Sequence, residues 1–352
     1  MKSMILTVLI AASFVTGLAV PTFAKKLVTF DAPGAGTRQG EGTRALGINS
    51  SGVIVGTFSN SHYVSHGFLR GADGTFTTFD APGAGTGNDQ GTFANSINEA
   101  GMVAGYFADS NDTNHGYVRA TDGTFTKFDA PGANSFGTIT LCLNDNGTVA
   151  GYSFDSGNVG HAFVRTADGT ITTFDAPGSV SGTFPFTIND TGTIAGEYDD
   201  VHNVGHGFVR GADGTITTFD PPGSGGDQGT TSRSINASGA IAGEFEDSSF
   251  VSHGFLRAAD GTITIFDAPG AGTGMDEGTS ALAMNDSGVI VGEYADSKQI
   301  DHGFQRSAGG KFGEGSVPRA KATVPWSINA GGVIAGFYID SVSVYHGFLF
   351  LP

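Results

Sequence analysis

Three glutamates, Glu197, Glu244 and Glu293, have the clearest potential for chemistry in this sequence. Each follows a Gly inside a short apolar run, and they stand 47 and 49 residues apart, so a repeating fold would set them on neighbouring units. Asp199, Glu246 and His202, a histidine outside any repeat, lie close by in the chain. Carboxylates so placed could hold a cation such as calcium, or act as the acid and base of glycoside chemistry. The plainer reading, preferred at this point, is three solvated acids on an acidic protein. Arg44 and Arg233 replace apolar or small residues on comparable runs and could reach a channel. Trp326, the sole Trp, sits in an apolar pattern and reads as core rather than as a sugar platform.

A second constellation is repeated. An acid stands six residues before a His in Asp109–His115, Asp155–His161, Asp200–His206, Asp247–His253, Asp296–His302 and Asp340–His346, with Asn60–His66 as the first, amide version. Asp and His can ligate a metal or exchange a proton. A catalytic constellation is needed once, however, and this pair occurs in nearly every copy, so the preferred role is to close a loop and fix a strand. Arg70, Arg119, Arg165, Arg210, Arg257 and Arg306 end the run after the His and read the same way, as surface or inter-unit partners for acids.

The elements that must position these residues follow from the repeat. Successive histidines of the series are 44 to 49 residues apart, and each is preceded in register by an Asn (Asn49, Asn98, Asn144, Asn189, Asn236, Asn285, Asn329) with a Thr six residues before it. Each copy holds four short runs, A to D, rich in Val, Ile, Phe and Thr, separated by Asn-x-x-Gly, Asp-Gly and Ala-Pro-Gly turn sequences. Four antiparallel strands at this period are the signature of propeller blades. The expected fold is all-β, a seven-bladed β-propeller filling residues 25–352 as one domain. Strand A should alternate small and large residues, as in Thr279, Ala281 and Ala283 against Leu282 and Met284. The interior Gly of strand B should allow close approach of a neighbour. The chain ends on a strand C and begins, at Leu27–Asp31, on an orphan strand D, so the N-terminal strand should complete the last blade. Lys311–Glu314 breaks the Phe-Asp-Ala-Pro pattern, so that outer strand should be short or frayed.

Residues 1–24, with Lys2 before an apolar stretch and Thr22-Phe23-Ala24 at its end, read as a secretory signal cleaved after Ala24. The remainder carries 16 basic against 34 acidic residues, net −18, which disfavours nucleic acid and anionic membranes and suits cations, basic partners or neutral glycans. No later stretch is apolar for long enough to span a bilayer. Cys142 is alone, so no intrachain disulfide is available, and it reads as a small buried residue. Asp109–Asn114 places oxygen ligands at alternating positions but lacks the central Gly and final Glu of a calcium loop. No other cofactor motif is present. In an up-and-down blade the A–B and C–D turns share one face, and the longer B–C and D–A loops share the other. The longer loops are the expected site-bearing face.

The series Ile-Asn-x-x-Gly-x-Ile-Ala-Gly, then His-Ala/Gly-Phe-Val/Leu-Arg, then Asp-Gly-Thr resembles the bacterial extracellular HAF-type repeat, with His161-Ala162-Phe163 carrying its tripeptide. It departs where Phe-Asp-Ala-Pro-Gly replaces Leu-Gly-x-Leu-Gly-Gly. The resemblance implies export from a bacterium and supplies no catalytic residues. The expected function is a monomeric secreted or periplasmic binding propeller without catalysis, its ligand a glycan or a surface protein. Its ligand residues would come from Asp199, His202, Glu244, Glu293, Arg44 and Arg233. The alternatives are an extracellular polysaccharide lyase or glycoside hydrolase using Glu197, Glu244, Glu293 and His202, and a structural envelope or matrix repeat.

Overall fold

The computed structural model describes residues 26–225 and 229–352. The expected signal segment, residues 1–24, lies outside them. The described residues carry 28 strands and no helix. In chain order the strands are β1 (Lys26–Phe30), β2 (Gly42–Ile48), β3 (Ile54–Ser59), β4 (Ser65–Arg70), β5 (Phe76–Phe79), β6 (Gly91–Ile97), β7 (Val103–Ala108), β8 (Asn114–Arg119) and β9 (Phe125–Phe128). They continue as β10 (Thr138–Leu143), β11 (Val149–Phe154), β12 (Gly160–Arg165), β13 (Ile171–Phe174), β14 (Gly182–Ile188), β15 (Ile194–Asp199), β16 (Gly205–Arg210), β17 (Ile216–Phe219), β18 (Thr230–Ile235) and β19 (Ile241–Glu246). The last are β20 (Ser252–Arg257), β21 (Ile263–Phe266), β22 (Gly278–Met284), β23 (Ile290–Ala295), β24 (Asp301–Arg306), β25 (Phe312–Glu314), β26 (Ala322–Ile328), β27 (Ile334–Ile339) and β28 (Tyr345–Leu351).

Pairing runs antiparallel through each copy, β2-β3-β4-β5 and so on to β22-β23-β24-β25. The final unit is β26-β27-β28 with β1 as its outer strand, Lys26 opposite Leu351 and Phe30 opposite Gly347. Single parallel bridges link the third strand of one unit to the first of the next, as in Ser65–Gly91, and Gly42–Tyr345 links the first unit to the last. The strands fall into one 20-stranded and one 8-stranded sheet. At the β8–β10 junction the equivalent parallel bridge, Asn114–Gly137, falls one residue before β10. β25 is one residue shorter than the other inner-copy outer strands, in line with its irregular sequence.

The turns follow their sequences. In Asn49–Gly52 the Gly52 amide donates to the Asn49 carbonyl, and Asn49 Oδ1 accepts from the Val53 amide. In Ala32–Ala35 the Ala35 amide donates to the Ala32 carbonyl with Gly34 at φ 93°, the type II turn expected of Pro-Gly. The interior glycines of the second strands are obligatory. A Cβ on any of Gly56, Gly105, Gly151, Gly196, Gly243, Gly292 or Gly336 would stand 2.0–2.1 Å from a carbonyl oxygen of the first strand.

The core lies between units rather than within them. Ala45, Ile54 and Phe68 of the first copy pack with Ala335 and Leu349 of the last. Val55 packs with Ala94 and Tyr117 of the second, and Val291 with Ile328 and Phe348 of the seventh. Phe68, Phe163, Phe208, Phe255 and Phe348 have no accessible surface. Each contributes about 2–3 kcal/mol of burial, so unit contacts, not any disulfide, hold the chain.

One expectation about the first strand fails. Every first strand carries a register shift at the same place, for example between Ala281 and Ala283 opposite Gly292 and Val291. Leu282 is therefore an extra, bulged residue, and Ala281 and Met284 are the buried ones. Simple alternation ends there because a bulge resets the two-residue period.

Candidate functional site

The repeated polar groups form the frame. Each loop Asp closes its own turn, Asp155 Oδ1 accepting from the Gly157 and Val159 amides. The following His then bridges two carboxylates. Nδ1 of His66, His115, His161, His206, His253 and His346 lies 2.7–2.9 Å from Asp80, Asp129, Asp175, Asp220, Asp267 and Asp31. Nε2 of the last five of these, and of His302, stands 3.1–3.7 Å from the Asp six residues earlier. Burial opposes charge on His161 and His206, but the flanking carboxylates outweigh it and raise both pKa values. The His346–Asp31 contact joins residues 315 apart.

The arginines of the third strands do not pair mainly with acids as expected. Each guanidinium lies over the Phe that ends the outer strand of the preceding unit, 4.6–4.9 Å from its centroid: Arg70 on Phe30, Arg119 on Phe79, Arg165 on Phe128, Arg210 on Phe174, Arg257 on Phe219 and Arg306 on Phe266. Burial of the neighbouring third strand favours an aromatic face for a flat, weakly hydrated cation.

The turn asparagines link neighbouring units around the inner rim. Asn49 Nδ2 donates to the Asn98 carbonyl, Asn98 to Asn144, Asn144 to Asn189, Asn189 to Asn236, Asn285 to Asn329, and Asn329 back to Asn49, at 3.0–3.3 Å. Inside this rim the bulged residues share one cavity of about 300 Å³: Leu46, Asn95, Leu141, Phe186, Arg233, Leu282 and Trp326. It adjoins, through Leu143 and Ile188, a basin of about 390 Å³ at the A–B turns, where Glu99, Asp145, Asp190 and Asp286 stand. One of these concavities runs along the inner strands and the other opens at the short turns, while a smaller one of about 210 Å³ lies on the longer-loop side, lined by His115, Asp129 and Asn134. The Asp turns and His bridges tie those loops back to their own strands. The longer-loop face also presents apolar tips, among them Phe136, Val201, Met275 and Val342.

Trp326 corrects its sequence reading. It is 39% exposed and lines the cavity, with Phe337 6.1 Å away, rather than packing in the core. Arg233 lines the same cavity; its Nε and Nη2 both donate to Glu244 Oε1, at 3.0 and 2.7 Å, and its guanidinium lies 5.2 Å from the Phe186 centroid. Burial opposes its charge, but Glu244, Glu197 and Glu293 more than compensate and raise its pKa.

The three glutamates therefore do gather around one cation, and they are not freely solvated. Desolvation raises Glu197, although it accepts a hydrogen bond from Thr231, and desolvation with Asp301 and Glu244 nearby pushes Glu293 up to about 8. Glu244 Oε2 has no hydrogen-bond partner among the described residues. Asp199 is raised chiefly by burial and by Asp200. His202 is not with this group. It stands exposed on the β15–β16 turn, its amide donating to Asp200. Arg44 lies 3.7 Å over the Tyr345 ring and is not among the cavity residues. Among the described residues no group of three or more His, Cys, Asp or Glu is placed to hold a metal ion, Asp109–Asn114 included. Cys142 is buried and its thiol pushed up to about 12, so it is no nucleophile. The bulge row was missed because its members share no residue type; the shared signal was their position, three residues after each conserved-register Thr.

No protein-family model and no curated protein matches the chain. Among solved structures, "Streptogramin B lyase structure" is similar at 16% identity and TM-score 0.62, covering 93% of this chain and 98% of that one. "Crystal structure of puromycin hydrolase" is similar at 12% identity and TM-score 0.57, over 86% of this chain and 50% of that one. Likeness at this identity concerns the fold alone: this is an all-β repeat protein of β-propeller type. No helix among the described residues is long and apolar enough to cross a membrane.

Proposed function

We propose that residues 25–352 form one closed, seven-bladed propeller of the HAF-repeat type, exported after cleavage at Ala24, that binds a saccharide in its lumen without catalysis. Closure is supported by β1 on β28, Asn329 on Asn49, and the shared core of the first and last units. The observation that carries the ligand class is the half-open Trp326 in a cavity it shares with Asn95 and Arg233. An aromatic face beside a few fixed polar groups is how a sugar ring is held. The protein acts as a monomer, without nucleic acid and without a cofactor, calcium included.

Because Trp326 is the sole Trp, its fluorescence reports directly on the cavity. Titration with a panel of neutral oligosaccharides should shift its emission saturably, and Trp326→Ala should weaken binding measured by calorimetry by about tenfold to a hundredfold. Saturable sugar binding of unchanged affinity in Trp326→Ala would refute the site. The apolar tips of the longer-loop face are the observation that favours a surface protein as ligand, and a sugar-blind protein that docks through that face would establish it. The enzyme reading keeps one support, a Glu293 that holds its proton near neutrality beside Glu244. Sugar release from a polysaccharide panel, lost in Glu244→Gln, would replace binding with hydrolysis or elimination. A purely structural envelope or matrix role would leave both assays silent.

A further inference from the structure

We propose that Arg233 is the specificity-determining residue of the lumen, a two-point donor that reads a pair of hydroxyl oxygens on adjacent carbons of a neutral saccharide. This rests on the reading of the lumen as a saccharide site.

A guanidinium has five N–H donors in a planar fork. Here the Nε/Nη2 side is occupied by Glu244 Oε1 alone, and Phe186 supports the plane. That leaves the Nη1/Nη2 end without a further protein acceptor among the described residues while 32% of the side chain stays accessible, in the cavity it helps to line. The end of the fork is thus free and its orientation fixed before any ligand arrives, which lowers the ordering cost of binding. Arg233 is also the one charged residue among those lining this cavity.

A free guanidinium end would suit a carboxylate as well as a diol, so the surroundings must decide. The charge of Arg233 is already balanced by Glu244, with Glu197 and Glu293 within electrostatic reach. The adjoining basin carries Glu99, Asp145, Asp190 and Asp286. An anionic sugar would have to cross that field, in a chain of net charge −17, to reach a cation already neutralised. A neutral vicinal diol meets the same two donors at no such cost. Trp326 and Phe186, on other units of the same cavity, supply apolar faces for the ring.

The test uses the mature protein and the tightest neutral disaccharide from a panel of glucose, galactose, mannose and N-acetylglucosamine dimers. It compares that sugar with its uronic-acid counterpart and its monodeoxy analogues, by calorimetry and Trp326 emission. Removing one hydroxyl of the diol read by Arg233 should weaken binding about tenfold or more, and the uronate should bind more weakly still at low salt, recovering as salt is added. In the uncharged double variant Arg233→Gln, Glu244→Gln the deoxy penalty should vanish while residual stacking on Trp326 persists. A melting curve of the double variant, matched to the parent, confirms a folded protein; if it is unfolded, Arg233→Lys serves, with the penalty reduced and the fold kept. A uronate that binds more tightly than the neutral sugar, or a deoxy penalty undiminished without the guanidinium, overturns the role of Arg233 and leaves the saccharide site standing. No sugar bound by the parent protein overturns the saccharide site itself.

Discussion

The outer frame and the inner row of this protein use the same repeat in contrary ways. In the frame, one residue type recurs at one place: six arginines on six phenylalanines, and histidines held between aspartates in copy after copy. In the inner row the backbone place recurs, a bulge in every first strand, but its occupants run Leu, Asn, Leu, Phe, Arg, Leu, Trp. The frame must solve one packing problem seven times, so it repeats its chemistry. The row lines a single shared cavity, and each of its places carries its own side chain. Repetition marks what builds the molecule, and its interruption marks the residues that line the cavity.

The largest expected effect breaks the frame at its seam. Deleting residues 26–33 removes β1, the Asp31 partner of His346 and the Phe30 that lies under Arg70. It exposes the edge of β28 along its full pairing with β1, a template for association with other chains. The melting temperature should drop by 10 °C or more, on the order of several kcal/mol for a chain of this size, and light scattering should show oligomers. An unchanged melt with a monomeric profile would mean the first and last units do not depend on each other.

Next in size is an effect specific to the acidic side of the inner strands. Glu293, its pKa pushed up to about 8 by burial, keeps its proton in the folded protein to about that pH, but loses it near the ordinary carboxylate value of 4.5 in the unfolded chain. Between those values folding takes up a proton, so this group's contribution to stability declines as pH rises from about 4.5 to about 8, and the full penalty remains above that. Glu293→Gln should therefore leave stability unchanged below pH 4.5 and raise it increasingly toward pH 9, by an order of a few kcal/mol. Urea unfolding of both proteins at pH 4, 6.5 and 9 measures the difference. A constant difference across that range would show that Glu293 ionises normally and that the acids around Arg233 are not coupled by burial.

The frame was legible in the sequence and the inner row was not, for physical reasons. Asn-x-x-Gly, Pro-Gly and the strand Gly specify backbone geometry through local sterics, which travel with residue type; a Cβ at Gly292 would meet the Ser280 carbonyl whatever else the protein does. The pairing of β1 with β28 could be read because each terminus carried half of a unit. The bulge could not, because no single residue type fills it, Leu standing at three of seven places, and its other trace is a lost alternation between Ala281 and Met284. Trp326 was misassigned for that reason: apolar neighbours imply core only while alternation holds. Arg233 and the three glutamates were visible as departures from the repeat, but bringing Glu197 and Glu293 within electrostatic reach of Arg233 depends on units 47 to 49 residues apart meeting side by side. His202 stood out equally and lies elsewhere, since an insertion-tolerant turn tip also departs from a repeat without consequence.

Trp326→Ala sharpens the contrast by separating ligand from stability. Its side chain is partly open and touches the core little, so the melting temperature should move by no more than a degree or two. Saccharide affinity should fall by about tenfold to a hundredfold, the range of a central aromatic anchor. A large loss of stability with binding kept would return Trp326 to the core and the row to the frame.

The smallest effect belongs to a single frame contact. Arg257→Ala removes one guanidinium from over Phe219, 4.8 Å from its centroid, together with its hydrogen bond to the Ala258 carbonyl. The contact is partly buried and one of six, so the cost should be about 1 kcal/mol, within reach of urea unfolding. Arg257→Lys keeps a cation but not the flat face that lies on the ring, and should recover less than half of it. Neither variant should alter saccharide affinity, because Arg257 ends a third strand, away from the cavity residues. Should Arg257→Ala weaken the ligand as much as Trp326→Ala does, the inner row would be positioned by the frame so tightly that the two regions could not be varied apart.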